Sequence, residues 1–123
     1  MDNIELYLKF RQEIDKIVVP ELLKVVTPIK IIKDDKDVGI LCYIRQDEWV
    51  YIDAVYVIPE YRHQGVAKNS ILNWYEDFKD EEIRLHIINE NKPALKFWNS
   101  IFELEVIESD VLEALYRIRG VKV

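Results

Sequence analysis

"VYVIPEYRHQGVAKNSIL", Val55 to Leu72, carries the end of an apolar strand into a turn and then into a segment with helical spacing. The chain has only 3 glycines, and Gly65 stands in this turn beside Arg62 and His63. A helix N-terminus leaves several backbone N–H groups without partners and carries the positive end of the helix dipole, which makes it a ready anion site. A phosphate reaches such amides only where side chains do not crowd them, and Gly65 meets that condition fully, Ala67 nearly so. Arg62 adds a forked donor, while His63 and Lys68 offer charge or hydrogen bonds. The competing reading is a plain strand-to-helix connection with Arg62 as a solvated charge. Two other phosphate loops are excluded, because the chain has no Gly-Lys-Ser/Thr ending and no GxGxxG.

Working outward from this turn, Trp49 to Ile58 reads as the strand that enters it and Val66 to Phe78 as the helix that leaves it, with Ile71, Leu72, Trp74, Tyr75 and Phe78 apolar. Upstream, Ile29 to Lys33 and Val38 to Arg45 read as two more strands joined by short polar turns, hence antiparallel neighbours. Downstream, Ile83 to Ile88 is a fourth strand, and the intervening helix makes it parallel to the third. A helix over "NKPALKFWNSIF" follows, with Pro93 near its first turn, and two short strands around Leu104 to Glu108 and Val111 to Arg119 end the chain. The N-terminal part reads as an amphipathic helix from Ile4 to Val18, with Asp2 and Asn3 as candidate caps. A second short helix is expected from Pro20 through Val26 to Thr27-Pro28. The result is an α/β (α+β) class, one domain over residues 1–123 with a mixed sheet: an antiparallel meander, a parallel crossover and a terminal hairpin.

Half the residues are hydrophobic and a third charged, the composition of a globular domain. The net charge of −6 argues against a general nucleic-acid or anionic-membrane surface, so a polyanion must be held locally. The tryptophans and most tyrosines fall on strand or helix positions expected to pack, which speaks against a base-stacking platform. A single cysteine, Cys42, allows no intrachain disulfide and no cysteine metal cluster, and no bound metal is expected. The charge-interrupted N-terminus is neither a signal peptide nor a membrane span, so a cytoplasmic location is expected.

The segment from Val55 to Leu72 resembles the acyl-CoA-binding segment of the GNAT superfamily of N-acyltransferases, whose loop pattern Gln/Arg-x-x-Gly-x-Gly/Ala is filled here by Arg62, Gly65 and Ala67. "LHIINENKPALKFWNSIF", Leu85 to Phe102, is similar to the same family's second segment, Asn-x-x-Ala-x-x-Phe-Tyr, with Asn91, Ala94 and Phe97 in place. The resemblance covers roughly Ile29 to Arg119. It implies that the pyrophosphate of coenzyme A lies on the amides of His63, Gln64, Gly65, Val66, Ala67 and Lys68. The pantetheine arm would run beside the backbone of Val55 and Val57 where two strands splay, and Asn91 would fix the second helix and the cofactor side of the cleft. The activity implied is acetyl transfer from acetyl-CoA to a primary amine, the acidic balance favouring a cationic acceptor. The backbone N–H of Val57 is the candidate to polarise the thioester carbonyl.

Asp53 is the one charged residue within "WVYIDAVYVI". An unpaired carboxylate in apolar surroundings is driven toward the neutral range that suits a general base, whereas a paired one is a structural charge. His63 reads better as a surface or phosphate contact, and His86 as a satisfied strand histidine, than as catalysts.

Two departures from the family pattern bear on function. Trp98 stands where the family often has a tyrosine as general acid, and an indole N–H cannot serve in that way, so Tyr61 or Tyr116, water or the reacting ammonium must protonate the thiolate. The chain also starts almost at the first helix, where the family begins with a strand, so a sheet lacking its first strand, with an edge open to a homodimer partner, is expected. The second function consistent with both departures is a degenerate domain that binds acyl-CoA or a protein partner without catalysis.

Overall fold

The computed structural model describes residues 1–14 and 26–122, residues 11–14 by their backbone alone. Helix α1 spans Asn3–Ile14 and is followed by strands β1 (Val26–Lys33), β2 (Lys36–Arg45) and β3 (Trp49–Val57). A single 3-10 turn at Pro59–Tyr61 leads to helix α2 (Val66–Phe78), strand β4 (Glu82–Ile88), helix α3 (Lys92–Ile101) and strands β5 (Phe102–Ser109) and β6 (Glu113–Val121). The six strands form one sheet in the order β1-β2-β3-β4-β6-β5, with β3 and β4 parallel and every other pair antiparallel. This is the mixed sheet expected from the sequence.

Local chemistry accounts for most element ends. Asp2 caps α1, its Oδ1 accepting from the Glu5 N–H at 2.8 Å. The β1–β2 hairpin turns on Asp34 and Asp35, both with positive φ, the backbone that a two-residue hairpin of matching twist requires. Asn91 caps α3 by accepting from the Ala94 N–H at 3.1 Å, with a proline in the first turn behind it. At the exit of α3, Ile101 ends the helix and Phe102, fully buried, begins β5 with no loop between them.

One expectation is corrected. Val26 to Pro28 do not close a second helix but open β1, where Val26 is buried and pairs with Ile44. Pro28 is accommodated because β1 lies at the edge of the sheet, where a missing N–H breaks no ladder bond. The rest of that expected helix, and residues 15–18 of the first, lie outside the described residues. Among the described residues no strand precedes α1, and β1 pairs with β2 alone.

Two apolar layers sandwich the sheet. On one face Leu41, Val50, Ile52, Ile83, Leu85 and Ile87 pack with Ile71 and Trp74 of α2 and Ile101 of α3. On the other, Ile40, Cys42 and Ile44 pack with Leu6, Tyr7 and Phe10 of α1. Truncating a residue as enclosed as Ile71 to alanine is worth about 2–5 kcal/mol of stability. Gly39 lets β2 and β3 approach, since a Cβ there would lie 2.1 Å from the Tyr56 carbonyl oxygen.

Candidate active site

The β3 strand changes face in its middle. Cys42 pairs with Ala54 and Tyr43 with Ile52, so Asp53 is an extra residue on β3, a bulge. Before it Val50 and Ile52 point to the α2–α3 face; after it Val57 points to the apolar cluster under the loop and Ala54 and Tyr56 to the α1 face. The bulge also marks the end of the parallel ladder, whose last pair is Ile52 with Leu85. Beyond that pair β3 and β4 separate, and α3 roofs the gap.

The gap is a cavity of about 650 Å³ walled by β3 from Ile52 to Val57, β4 from Leu85 to Ile88, and Asn91, Ala94, Phe97 and Trp98 at and along α3. The Ile58 N–H donates to Val38 on the β2 side. Peptide groups alternate along an antiparallel strand, so those of Val55 and Val57 face the cavity instead. A second cavity of about 260 Å³ opens at the loop, lined by Arg62, His63, Gly65, Val66, Ala67 and Lys68, and shares Val57, Arg62, Ala67 and Phe97 with the first.

The loop is built to expose amides. Gly65 precedes α2 with φ 77° and no side chain caps the helix. The first bond inside α2 runs from the Asn69 N–H to the Gly65 carbonyl at 3.0 Å, so the Val66, Ala67 and Lys68 amides precede the helical ladder. His63 also holds positive φ, an uncommon state for a residue with a side chain, while the Gln64 side chain ties the loop by donating to the Glu60 carbonyl at 3.0 Å. Val66 is buried against Ile31, Val38 and Val57 and fixes the helix start to the sheet.

Arg62 is more committed than a free phosphate donor. Its Nε donates to the Val57 carbonyl at 2.7 Å and its guanidinium lies over the Tyr56 ring at 5.3 Å, so it closes the end of β3 as it lines both cavities. Trp98 stands in the cavity wall, stacked near Phe102 and edge-on to Phe97. Of the two tyrosines considered as acids, Tyr61 lines the loop cavity, whereas Tyr116 packs against the α2–α3 core cluster.

His86 is a strand residue with a partner at its ring, as expected, and it also borders the splay cavity. It lies between Leu85 and Ile87 of the core and so projects to the opposite face, 37 % exposed at its side chain, and lines the splay cavity together with Asp53. Its Nδ1 is 2.8 Å from the Tyr51 hydroxyl and its Nε2 is 3.8 Å from a Glu113 carboxylate oxygen. Beside it, a smaller cavity of about 100 Å³ is lined by Glu108, Asp110 and Glu113. Asp110 accepts from the Leu112 and Glu113 amides at 2.8 and 2.9 Å, and these bonds, that from Glu113 foremost, hold its carboxyl below the usual carboxylate range. Sequence reasoning missed the bulge and the Tyr51–His86 contact.

Comparisons with known proteins agree with this geometry. Residues 6–102, well over half of the chain, match the sequence model of the acetyltransferase (GNAT) family. Among solved structures, a Bacillus subtilis acetyltransferase in complex with CoA superposes with a TM-score of 0.67 at 16% identity, covering 96% of this chain and 93% of that one. PaiA N-acetyltransferase from Thermoplasma acidophilum, also with coenzyme A, gives 0.65 at 16% identity, covering 94% and 89%. The ribosomal-protein-S18-alanine N-acetyltransferase from Escherichia coli gives 0.69 at 9% identity, covering 96% and 89%. No curated protein sequence matches the chain. With its motifs, splayed sheet and family match in agreement, this chain belongs to the acetyltransferase (GNAT) family.

Proposed function

We propose that the protein transfers the acetyl group of acetyl-CoA to a primary amine. The observation that carries this reading is a pair of adjoining cavities: the splay cavity beside Val55 and Val57 and the loop cavity under the uncapped start of α2 share Val57, Arg62, Ala67 and Phe97 in their walls. In this reading the pyrophosphate of coenzyme A accepts from the amides of the loop, His63 to Lys68, with Gly65 and Ala67 leaving the approach open. The pantetheine arm takes the place of the strand missing between β3 and β4 and bonds the peptide groups of Val55 and Val57. The acetyl carbonyl then lies beyond Val55, toward the splay beside Asp53, where a backbone N–H of the β3 edge polarises it.

An amine must be neutral to attack, and Asp53 is the carboxylate that draws in the ammonium and takes its proton. Its place on the bulge supports this role, because the extra residue turns it into the cavity wall at the point where the two strands part. Asn91 acts indirectly, capping α3 so that Phe97 and Trp98 stay in the wall. The net charge of −6 and the carboxylates of Glu108, Asp110 and Glu113 near His86 favour a cationic acceptor, of small-molecule or protein origin.

Trp98 in the cavity wall favours one second reading, an acyl-CoA-binding domain without turnover. Calorimetric titration with acetyl-CoA and CoA, followed by thiol release on an amine panel, separates the two. Binding with turnover is the expected outcome; binding without turnover on any amine selects the second reading, and absence of binding removes both.

A further inference from the structure

Converting an ammonium and a thioester into an amide and a thiol moves two protons. One leaves before attack; the other leaves nitrogen as the C–N bond forms and the C–S bond breaks, its electron pair passing to sulfur. Asp53 provides for the first, and the residue at the family's acid position, Trp98, cannot provide for the second. We propose, on the acetyl-transfer reading above, that His86 handles this second proton, with Tyr51 and Glu113 as its positioning residues. Its Nε2 takes the proton from the acceptor nitrogen and returns it to the departing sulfur, leaving amide, free thiol and a neutral ring.

Three features of the structure support this assignment. First, His86 shares the splay cavity with Asp53, so both groups reach the place where the strands part. Second, each ring nitrogen faces an oxygen: the Tyr51 hydroxyl 2.8 Å from Nδ1 and the Glu113 carboxylate 3.8 Å from Nε2. An imidazolium donates from both nitrogens, so these surroundings complement the ring once it has gained the proton. Third, 3.8 Å is longer than a hydrogen bond, so in the tautomer whose Nδ1–H donates to the Tyr51 hydroxyl, the one this proposal requires, the Nε2 lone pair stays available. In that tautomer the carboxylate favours the charged intermediate without consuming the base. Among the described residues, the titratable groups facing His86 are Tyr51 and Asp53 from β3, Glu108 and Asp110 from the end of β5 and the hairpin after it, and Glu113 from β6. The one cation among the described residues in the wall of the same cavity is Arg62, whose Nε is engaged by the Val57 carbonyl.

His86→Gln, whose side-chain amide can still meet Tyr51, is compared with the unchanged protein on an amine that the latter acetylates. The expected result is a loss of about 100-fold or more in kcat, with acetyl-CoA affinity by calorimetry held within about threefold and the acid limb of the pH–rate profile changed in position. Tyr51→Phe is expected to lower kcat without changing acetyl-CoA affinity and to raise the population of the Nε2–H tautomer. That tautomer is read directly from ring nitrogen shifts, since the chain holds only two histidines and His63→Gln assigns them. A kcat for His86→Gln within about threefold of the unchanged protein overturns the proposal and leaves acetyl transfer standing, as does an Nε2–H tautomer at pH 8 in the unchanged protein. An unchanged protein that binds acetyl-CoA but acetylates no amine overturns the acetyl-transfer reading itself, and this proposal with it.

Discussion

Asp53 and His86 are the first residues beyond Ile52 and Leu85, the last pair of the parallel β3–β4 ladder, and both line the cavity that opens there. The bulge at Asp53 coincides with the end of the pairing, so a single backbone irregularity marks the start of the cleft and places Asp53 in its wall. Asp53→Asn preserves the shape of the side chain and removes its basicity. The expected outcome is a fall of roughly 100-fold in kcat, acetyl-CoA affinity staying within about threefold. An unchanged pH–rate profile in this variant would remove Asp53 as the base.

The loop prediction separates strain from occlusion. Gly65 has φ 77°, but a Cβ built there meets nothing within 4 Å, so a side chain at this position costs backbone strain of about 1–2 kcal/mol rather than a clash within the protein. Gly65→Val should therefore lower stability by about that amount, measured by denaturant unfolding. It should weaken CoA by more than tenfold, because the new side chain stands in the approach to the amides. A variant with the expected strain and undiminished CoA affinity would show that the pyrophosphate is held elsewhere.

The sequence made the loop and its cofactor legible because their signals are local. Arg62, Gly65 and Ala67 lie within six residues, and Asn91 with Pro93 marks a helix start without any tertiary information. The proton-handling side was less legible because its contacts are not local. Tyr51 and His86 are 35 residues apart and meet only through the register of two parallel strands. The bulge was obscured because "WVYIDAVYVI" is apolar on both faces, each covered by helices, which hides the one-residue shift that alternation would otherwise reveal. Val26 was misplaced for a related reason: an apolar residue after "ELLKV" continues a helical pattern as well as it starts an edge strand.

Asp110 provides a pH test of the hairpin beside the site. The Glu113 and Leu112 amides lower its pKa in the folded protein from the ordinary 3.8. A carboxyl whose folded pKa is depressed contributes stability that is fully present above the unfolded value and is lost as pH falls through the folded one. Asp110→Ala should thus lower Tm at pH 7, and the difference from the unchanged protein should shrink only below about pH 4. A Tm difference that stays constant from pH 7 to pH 2 would show that the two amide bonds do not hold the turn.

Trp98 links the two halves of the chemistry. A tyrosine there could donate a proton to the departing sulfur, which the indole cannot, and Trp98 contacts Phe97 and Phe102 through ring faces and edges that a smaller ring can partly keep. With His86 supplying that proton, Trp98→Tyr alone should change kcat by less than about threefold. In the His86→Gln background the same replacement should recover about tenfold, since the sulfur regains a donor from the opposite wall of the cavity. The comparison is a double-mutant cycle on kcat at fixed saturation with acetyl-CoA. Additive effects would mean that positions 86 and 98 do not serve the same proton, and a large gain from Trp98→Tyr alone would mean that protonation of the thiolate limits the unchanged protein.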